Sequence, residues 1–125
     1  MDTQQFRLSE SEWRVMEVLW TAPATLMELV HTLHGRVGWA KSTVTTMVRR
    51  MEEKGLIRHE ADGRAKRFYP AVERGAVAAA ETDSLLSRVY HGSVNLLVSN
   101  LLERERLSRA DLDALYALLD EKKEE

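Results

Sequence analysis

The sequence predicts a mainly α protein with an N-terminal winged helix, made of three helices and a two-stranded wing, followed by a C-terminal region of three helices. Three observations predict this class. Apolar residues recur at helical spacing through about the first 54 residues, an Asp-Gly turn then separates two short strand-like runs, and helical spacing alone follows residue 71. Domains are accordingly expected at 1–71 and 72–125.

Capping signals place the first two helices. Ser9 and Glu12 stand at the spacing of a capping box, in which each side chain accepts a hydrogen bond from the other residue's backbone N–H. Thr25 and Glu28 repeat that spacing. Both segments continue with apolar residues three and four apart, so each helix is expected to bury one face. The two helices are expected to end near Trp20 and Gly35.

A third helix and a β-hairpin complete the predicted winged helix. The helix is expected over 41–54, with Gly55 as the left-handed residue that ends it. Strands are expected over 56–60 and 65–69, joined by an Asp-Gly turn that is typical of hairpins. In a fold of this order the third helix reads DNA and the wing contacts the DNA backbone. The buried stripe of the third helix is expected to be Val44, Met47, Val48 and Met51.

Helical spacing continues through the C-terminal region. Helices are expected over 74–90 and 94–104, and a third is opened by Ser108 with Asp111 at capping-box spacing. Three helices in about fifty residues bury too little apolar surface to form a stable core alone, so a second copy of the chain is the expected partner. The leucines expected at this dimer contact are Leu96, Leu97, Leu101, Leu112, Leu115 and Leu119.

Charge is divided between the two halves. The net charge is −2, yet residues 36–67 carry nine Lys or Arg against four acids, a net +5. Residues 71–125 carry seven basic and eleven acidic side chains, a net −4. A basic segment suits nucleic acid, and an acidic one would avoid it. No apolar run approaches the roughly 20 residues of a membrane helix, so no membrane partner and a cytoplasmic location are expected.

The exposed face of the third helix has a composition suited to DNA. Threonine methyls can pack against thymine, hydroxyls can bond base edges or phosphates, and arginine can pair with guanine or clamp phosphate. Such residues ordinarily just solvate a helix face. The basic run at 63–67, beside a glycine turn, suits phosphate binding and favours double-stranded DNA as the partner. Opposite the buried stripe, at about 100° per residue, lie Ser42, Thr45, Thr46, Arg49 and Arg50.

Short motifs occur in a characteristic order from residue 8 to about residue 119. They include Ser11-Glu12-Trp13, Thr43-Val44-Thr45-Thr46, Lys54-Gly55-Leu56, Gly63-Arg64 and Tyr69-Pro70. In this order and spacing they resemble the BlaI/MecI family of penicillinase repressors, whose relatives include the copper-responsive CopY repressors. The resemblance implies homodimers that block transcription from inverted-repeat operators.

The resemblance also implies which residues contact DNA. The recognition helix falls on 41–50 and the wing on 63–67, which adds Lys41 and Thr43 on the helix to the residues above. On the wing it implies Arg64 and Lys66. One departure is Ala40, where the family often has a helix-capping Ser.

A release signal is a further implication of the resemblance. In the β-lactam branch the repressor is cut between an Asn and a bulky apolar residue, usually Phe, and Asn100-Leu101 lies at the matching place. A co-encoded sensor protease is then an expected partner. The alternative is that Asn100 simply lies beside a leucine of the dimer contact. The copper branch senses metal through C-terminal cysteine pairs, and this sequence has no cysteine.

The sequence lacks the sets of residues that metal binding, cofactor binding or catalysis would require. His31 and His34 stand at i, i+3 spacing without a third ligand, so neither a metal nor a cofactor is expected. Neither a glycine-rich phosphate loop nor a nucleophile beside its base is visible, so an enzyme is not expected. The remaining alternative is a winged helix used only for protein–protein contact, without specific DNA binding.

Overall fold

The computed structural model describes residues 7–124, which form six α-helices and three β-strands. The predicted class is confirmed: a mainly α winged helix is followed by a helical C-terminal region. The elements, in chain order, are α1 Glu10–Thr21, β1 Ala24–Thr25, α2 Leu26–Val37, α3 Lys41–Glu53, β2 Ile57–Asp62, β3 Ala65–Pro70, α4 Arg74–Tyr90, α5 Val94–Glu103 and α6 Arg109–Lys123. None of these helices is long and apolar enough to cross a membrane.

The predicted helix starts are confirmed by their hydrogen bonds. Complete capping boxes open α1, α2 and α6. At α1, the backbone N–H of Glu12 donates to Ser9 Oγ at 3.1 Å, and the backbone N–H of Ser9 donates to Glu12 Oε1 at 2.8 Å. These bonds satisfy backbone N–H groups that have no acceptor inside the helix, which fixes where each helix begins.

The predicted end of α2 was wrong, whereas the predicted two-stranded wing is confirmed but lies in a three-stranded sheet. Helix α2 continues through Gly35 to Val37, and the left-handed residue that ends it is Gly38, with φ +72° and its N–H bonded to His34 O. The wing is also joined by a third strand, because Ala24 and Thr25 pair antiparallel with β3. Two residues are too short to show an alternating pattern, so the sequence carries no signal for β1.

The sheet has the strand order β1-β3-β2, and both pairings are antiparallel. Strands β2 and β3 run in register from the Ile57–Pro70 pair to the Asp62–Ala65 pair. Gly63 occupies the tip of this hairpin with φ +63°, a conformation that glycine adopts at little cost. The wing is therefore a tight two-residue turn on two paired strands.

One hydrophobic core holds the three N-terminal helices and the sheet together. Phe68 of β3 reaches it from the sheet, and Met47, predicted within the buried stripe of α3, packs only partly buried against it. Trp13 and Trp20 also lie at the edge of the core, where their rings meet edge to face with centroids 5.5 Å apart. The fully buried side chains include Val15, Met16, Leu19, Leu29, Leu33, Val44, Met51 and Ile57.

The chain divides into one compact unit that ends at Thr82 and another that begins at Asp83. The first unit includes the start of α4, because Val77 is buried in its core and Trp20 Nε1 donates to Val72 O at 2.9 Å. In the second unit no described side chain is buried. The functional boundary expected between 71 and 72 stays a prediction.

Candidate nucleic-acid interface

Helix α3 presents a polar face to solvent and an apolar face to the core. Val44, Val48 and Met51 are buried. The opposite side displays the predicted contact residues: Lys41, Ser42, Thr43, Thr45, Arg49 and Arg50 are exposed, and Thr46 is half-buried. The structure therefore brings all the helix residues of the predicted site onto one accessible surface.

Four cations of this surface are free to meet an anion. Within the described residues, no ion pair or hydrogen bond engages the side chains of Lys41 and Arg50 on α3, or of Arg64 and Lys66 on the wing. Arg49 differs, since its Nη1 lies 3.3 Å from Glu53 Oε1 one turn along α3. That pair is exposed on both sides, so it is weak and a phosphate can replace Glu53.

The hydroxyl groups of α3 are not equivalent. Thr45 Oγ1 donates to Lys41 O at 2.8 Å, so its proton is used inside the helix and only its methyl and oxygen lone pairs face outward. The hydroxyls of Ser42, Thr43 and Thr46 make no hydrogen bond to the part of the chain described here. These three remain able both to donate and to accept.

The N-terminus of α3 lacks a side-chain cap. Ala40 has the extended backbone of an N-cap but offers no side-chain acceptor, as the sequence predicts. The first N–H groups of the helix therefore have no capping partner, and they carry the positive end of the helix dipole. A phosphate oxygen at this end would supply the missing acceptor.

Arg67 anchors the wing and is not a free cation. Its Nε donates to Asp62 Oδ2 at 2.9 Å, and its Nη1 lies 3.4 Å from Glu28 Oε1 and 3.3 Å from Pro23 O. The hydrogen bond to Asp62 is the main reason that the pKa of Arg67 is raised. This guanidinium ties the hairpin to the start of α2, an arrangement that sequence reasoning missed because Pro23 and Glu28 are remote along the chain.

A second contact fixes the C-terminal end of α3. Lys54 Nζ donates to Glu12 Oε2 at 2.7 Å, and Glu12 is only 5% exposed. Burial raises the pKa of Glu12, but the hydrogen bonds from Lys54 and from the backbone of Ser9 outweigh it, so the net pKa lies below its usual value. At the same end of the helix, His59 Nδ1 contacts Glu52 Oε2 and joins β2 to α3.

The leucines predicted at a dimer contact lie on the last two helices. Leu96, Leu115 and Leu119 are exposed, while Leu97, Leu101 and Leu112 are half-buried. Asn100 and Leu101 are both half-buried within α5, and their backbone oxygens accept hydrogen bonds from Arg104 and Arg106.

No metal cluster occurs among the described residues: no group of three or more His, Cys, Asp or Glu there is placed to hold an ion. His34, one of the two histidines considered in the sequence, has its Nδ1 3.2 Å from Trp39 O.

The sequence profile of the penicillinase repressor family matches residues 8–121, nearly the whole chain. The chain belongs to the penicillinase repressor family. Penicillinase repressors are transcriptional repressors and not enzymes, so the chain is a transcriptional repressor of the BlaI/MecI type.

Two relatives in the penicillinase repressor family match over most of their length. The methicillin resistance regulatory protein MecI of Staphylococcus aureus strain N315 is 28% identical, over 98% of this chain and 100% of its own. The penicillinase repressor of Bacillus licheniformis is 30% identical, over 94% of this chain and 92% of its own. The solution structure of the DNA-binding domain of the repressor BlaI is also similar, with a TM-score of 0.52 and 27% identity over 55% of this chain and 85% of that one.

Proposed function

We propose that this repressor is a homodimer that binds an inverted-repeat DNA operator through α3 and the wing. The observation that carries the proposal is a set of four cations, Lys41, Arg50, Arg64 and Lys66, that have no partner within residues 7–124 and lie around the hydroxyl face of α3. Cations without protein partners lose no internal contact when they meet phosphate, and they release counterions from the duplex. Repression follows because the bound dimer occludes the promoter.

Helix α3 lies in the major groove in this arrangement, and the wing lies along the adjacent backbone. Ser42, Thr43 and Thr46 can each donate to or accept from a base edge, and Arg50 can pair with guanine or with phosphate. Arg64 and Lys66 follow the tip of the hairpin and contact phosphates, which fix the position of the protein without reading sequence.

The C-terminal helices supply the second protomer. Apolar side chains that are exposed in a single chain are costly to leave in water, and α5 and α6 carry several of them. A two-fold contact between these helices would cover Leu96, Leu115 and Leu119. Two linked winged helices then engage two half-sites one or more turns of DNA apart, and the linkage makes their joint affinity high.

Release by proteolysis at Asn100-Leu101 is the proposed off-switch. The bond lies inside α5, where both carbonyl oxygens are hydrogen-bonded, so a protease needs this part of the helix to unwind first. An Asn100→Ala, Leu101→Ala protein should resist inducer-dependent loss in cells that carry the co-encoded sensor protease. Equal persistence of the wild-type protein after induction would show that release uses another route.

The direct test of operator binding is an anisotropy titration of the full chain with its own upstream DNA and with a scrambled duplex of equal length. We expect tight, salt-sensitive preference for an inverted repeat in the upstream DNA, and loss of that preference in Arg50→Ala. Equal weak binding to both duplexes would mean either that the target lies elsewhere or that the winged helix serves protein–protein contact. An Arg50→Ala protein with unchanged operator preference would show that Arg50 does not read the operator.

Dimerisation is tested separately by sedimentation of a Leu115→Glu, Leu119→Glu protein. We expect a monomer that keeps the thermal unfolding of its winged helix but binds the full operator weakly. A monomeric variant that still bound the full operator tightly would contradict the dimer mechanism.

A further inference from the structure

We propose that a small amphipathic anion, an aromatic carboxylate, binds in a cavity between α3 and the wing and competes there with DNA. The binding site stands on the geometry of the winged helix alone, and only its effect on DNA rests on the proposed function. Such a ligand would provide a second route of release, which acts directly on the DNA-binding unit and is independent of proteolysis.

The cavity has the size and walls of a ligand site. Its volume is about 750 Å³, within the range of roughly 300–1,000 Å³ that is usual for small-molecule pockets. Val48 and Phe68, which are 4% and 5% exposed, form its floor. Leu26 and Met27 form an apolar wall. Met27 is 57% exposed, because the described part of the chain does not cover it.

Charge around the cavity selects an anion. Lys41, Arg49, Arg64 and Lys66 line it, against one acid, Glu52, which is already paired with His59. Three of the four cations have no partner in the described residues. A carboxylate at the rim would gain charge-assisted hydrogen bonds from these groups.

The apolar floor distinguishes this ligand from DNA. A phosphodiester is hydrophilic and would use the cations without covering Met27 or Phe68. An aromatic ring packed against the apolar lining residues buries apolar surface while its carboxylate stays at the rim. Since ligand and DNA phosphates require the same lysines and arginines, both cannot be bound at once. The ligand would therefore act as an inducer.

The binding test uses the full chain without DNA and naphthalene-2-carboxylate as the probe. In amide NMR spectra we expect saturable shifts confined to 25–27, 41–52 and 64–68. The uncharged analogue naphthalene-2-carboxamide and the ringless anion acetate should each bind at least tenfold more weakly. Shifts elsewhere in the chain, or equal binding of carboxylate and carboxamide, would overturn the site.

A matched pair of variants tests the location. Met27→Glu places a carboxylate in the apolar wall, at an exposed position in the first turn of α2 where an acid favours the helix. It should weaken naphthoate binding at least tenfold. His31→Glu makes a comparable change on the exposed surface of the same helix, outside the cavity lining, and should leave binding unchanged. Equal affinity of both variants would place the ligand elsewhere.

The competition is measured by adding naphthoate to the complex of the wild-type protein with labelled operator. We expect displacement with a midpoint that follows the NMR affinity. Saturable binding without displacement would overturn the inducer role, although the site itself would stand. If the chain bound no DNA at all, the proposed function would fail, and the NMR titration would still decide whether the cavity takes the anion.

Discussion

Replacing Lys66 with alanine tests the wing contact most directly. The side chain is exposed on β3 next to the hairpin turn and has no hydrogen-bond or ion-pair partner in the described residues, so its removal breaks no such interaction there. Folding should be unaffected, and any change in DNA binding then reports a contact with DNA. In a dimer the substitution removes two such contacts.

The size of the effect follows from counterion release. The four cations of the proposed interface in each of two protomers give eight phosphate contacts, and at about 0.9 per contact the slope of log K against log salt is about −7. Lys66→Ala removes two contacts and brings the slope to about −5.4. Extrapolated from 1 M salt, the loss of affinity is about 30-fold at roughly 0.15 M and about 200-fold at roughly 0.05 M.

The assay is an anisotropy titration of the operator at four salt concentrations, with Arg36→Ala as the control. Arg36 carries the same charge but lies beside Arg14 and Glu17, away from α3 and the wing. Its removal should leave the slope unchanged. A Lys66→Ala protein with the wild-type slope would refute the wing contact. Equal loss in Arg36→Ala would show that binding follows net charge and not the geometry of this face.

Three further predictions concern the supports of the interface. Arg67→Met should weaken operator binding and leave the slope of log K against log salt unchanged, because Arg67 positions the wing and contacts no phosphate. A slope that is smaller by about 2 in the same titration would contradict this. Glu12→Gln should lower the melting temperature more at pH 7 than at pH 3. The pKa of Glu12 is lowered in the fold, so its stabilising effect is fully present above its usual value of about 4.5 and is lost as pH falls through the lowered value. An equal deficit at both pH values in thermal unfolding would rule this out. Met16→Ala, at a fully buried site, should cost about 2–5 kcal/mol in urea unfolding, and a smaller cost would indicate that the core closes over the cavity.

Features that depend on neighbours in the sequence could be predicted. The capping boxes that open α1, α2 and α6 join residues three apart, so the sequence alone contains both partners. Gly55 follows α3 with φ +80°, as expected for the residue that ends a helix. The exposed face of α3 followed from helical periodicity, because a helix with one buried stripe necessarily turns the opposite residues outward.

Features that depend on distant residues could not be predicted. The sequence predicts that α2 ends near Gly35 because glycine commonly ends helices, yet only the backbone conformation reveals that Gly38 does so. Glu12 and Lys54 are 42 residues apart, and nothing local marks them as partners. In the sequence, Arg67 is one more basic residue of the wing, but its contacts with Pro23 and Glu28 arise only once β1 pairs with β3. Tertiary structure therefore decides which cations are free and which are structural.

The proposed cavity ligand and the proposed protease would act on different terms of the binding free energy. Cleavage in α5 removes the linkage between protomers and leaves the affinity of each half-site unchanged. A ligand in the cavity weakens each half-site and leaves the linkage intact. Because the affinities of the two half-sites multiply in a dimer, a tenfold loss of affinity at each half-site lowers operator affinity by about a hundredfold. Ligand at about nine times its Kd, which occupies about nine-tenths of the cavities beside Lys41 and Lys66, would give that tenfold loss at each half-site, whereas cleavage must unwind a helix before it acts.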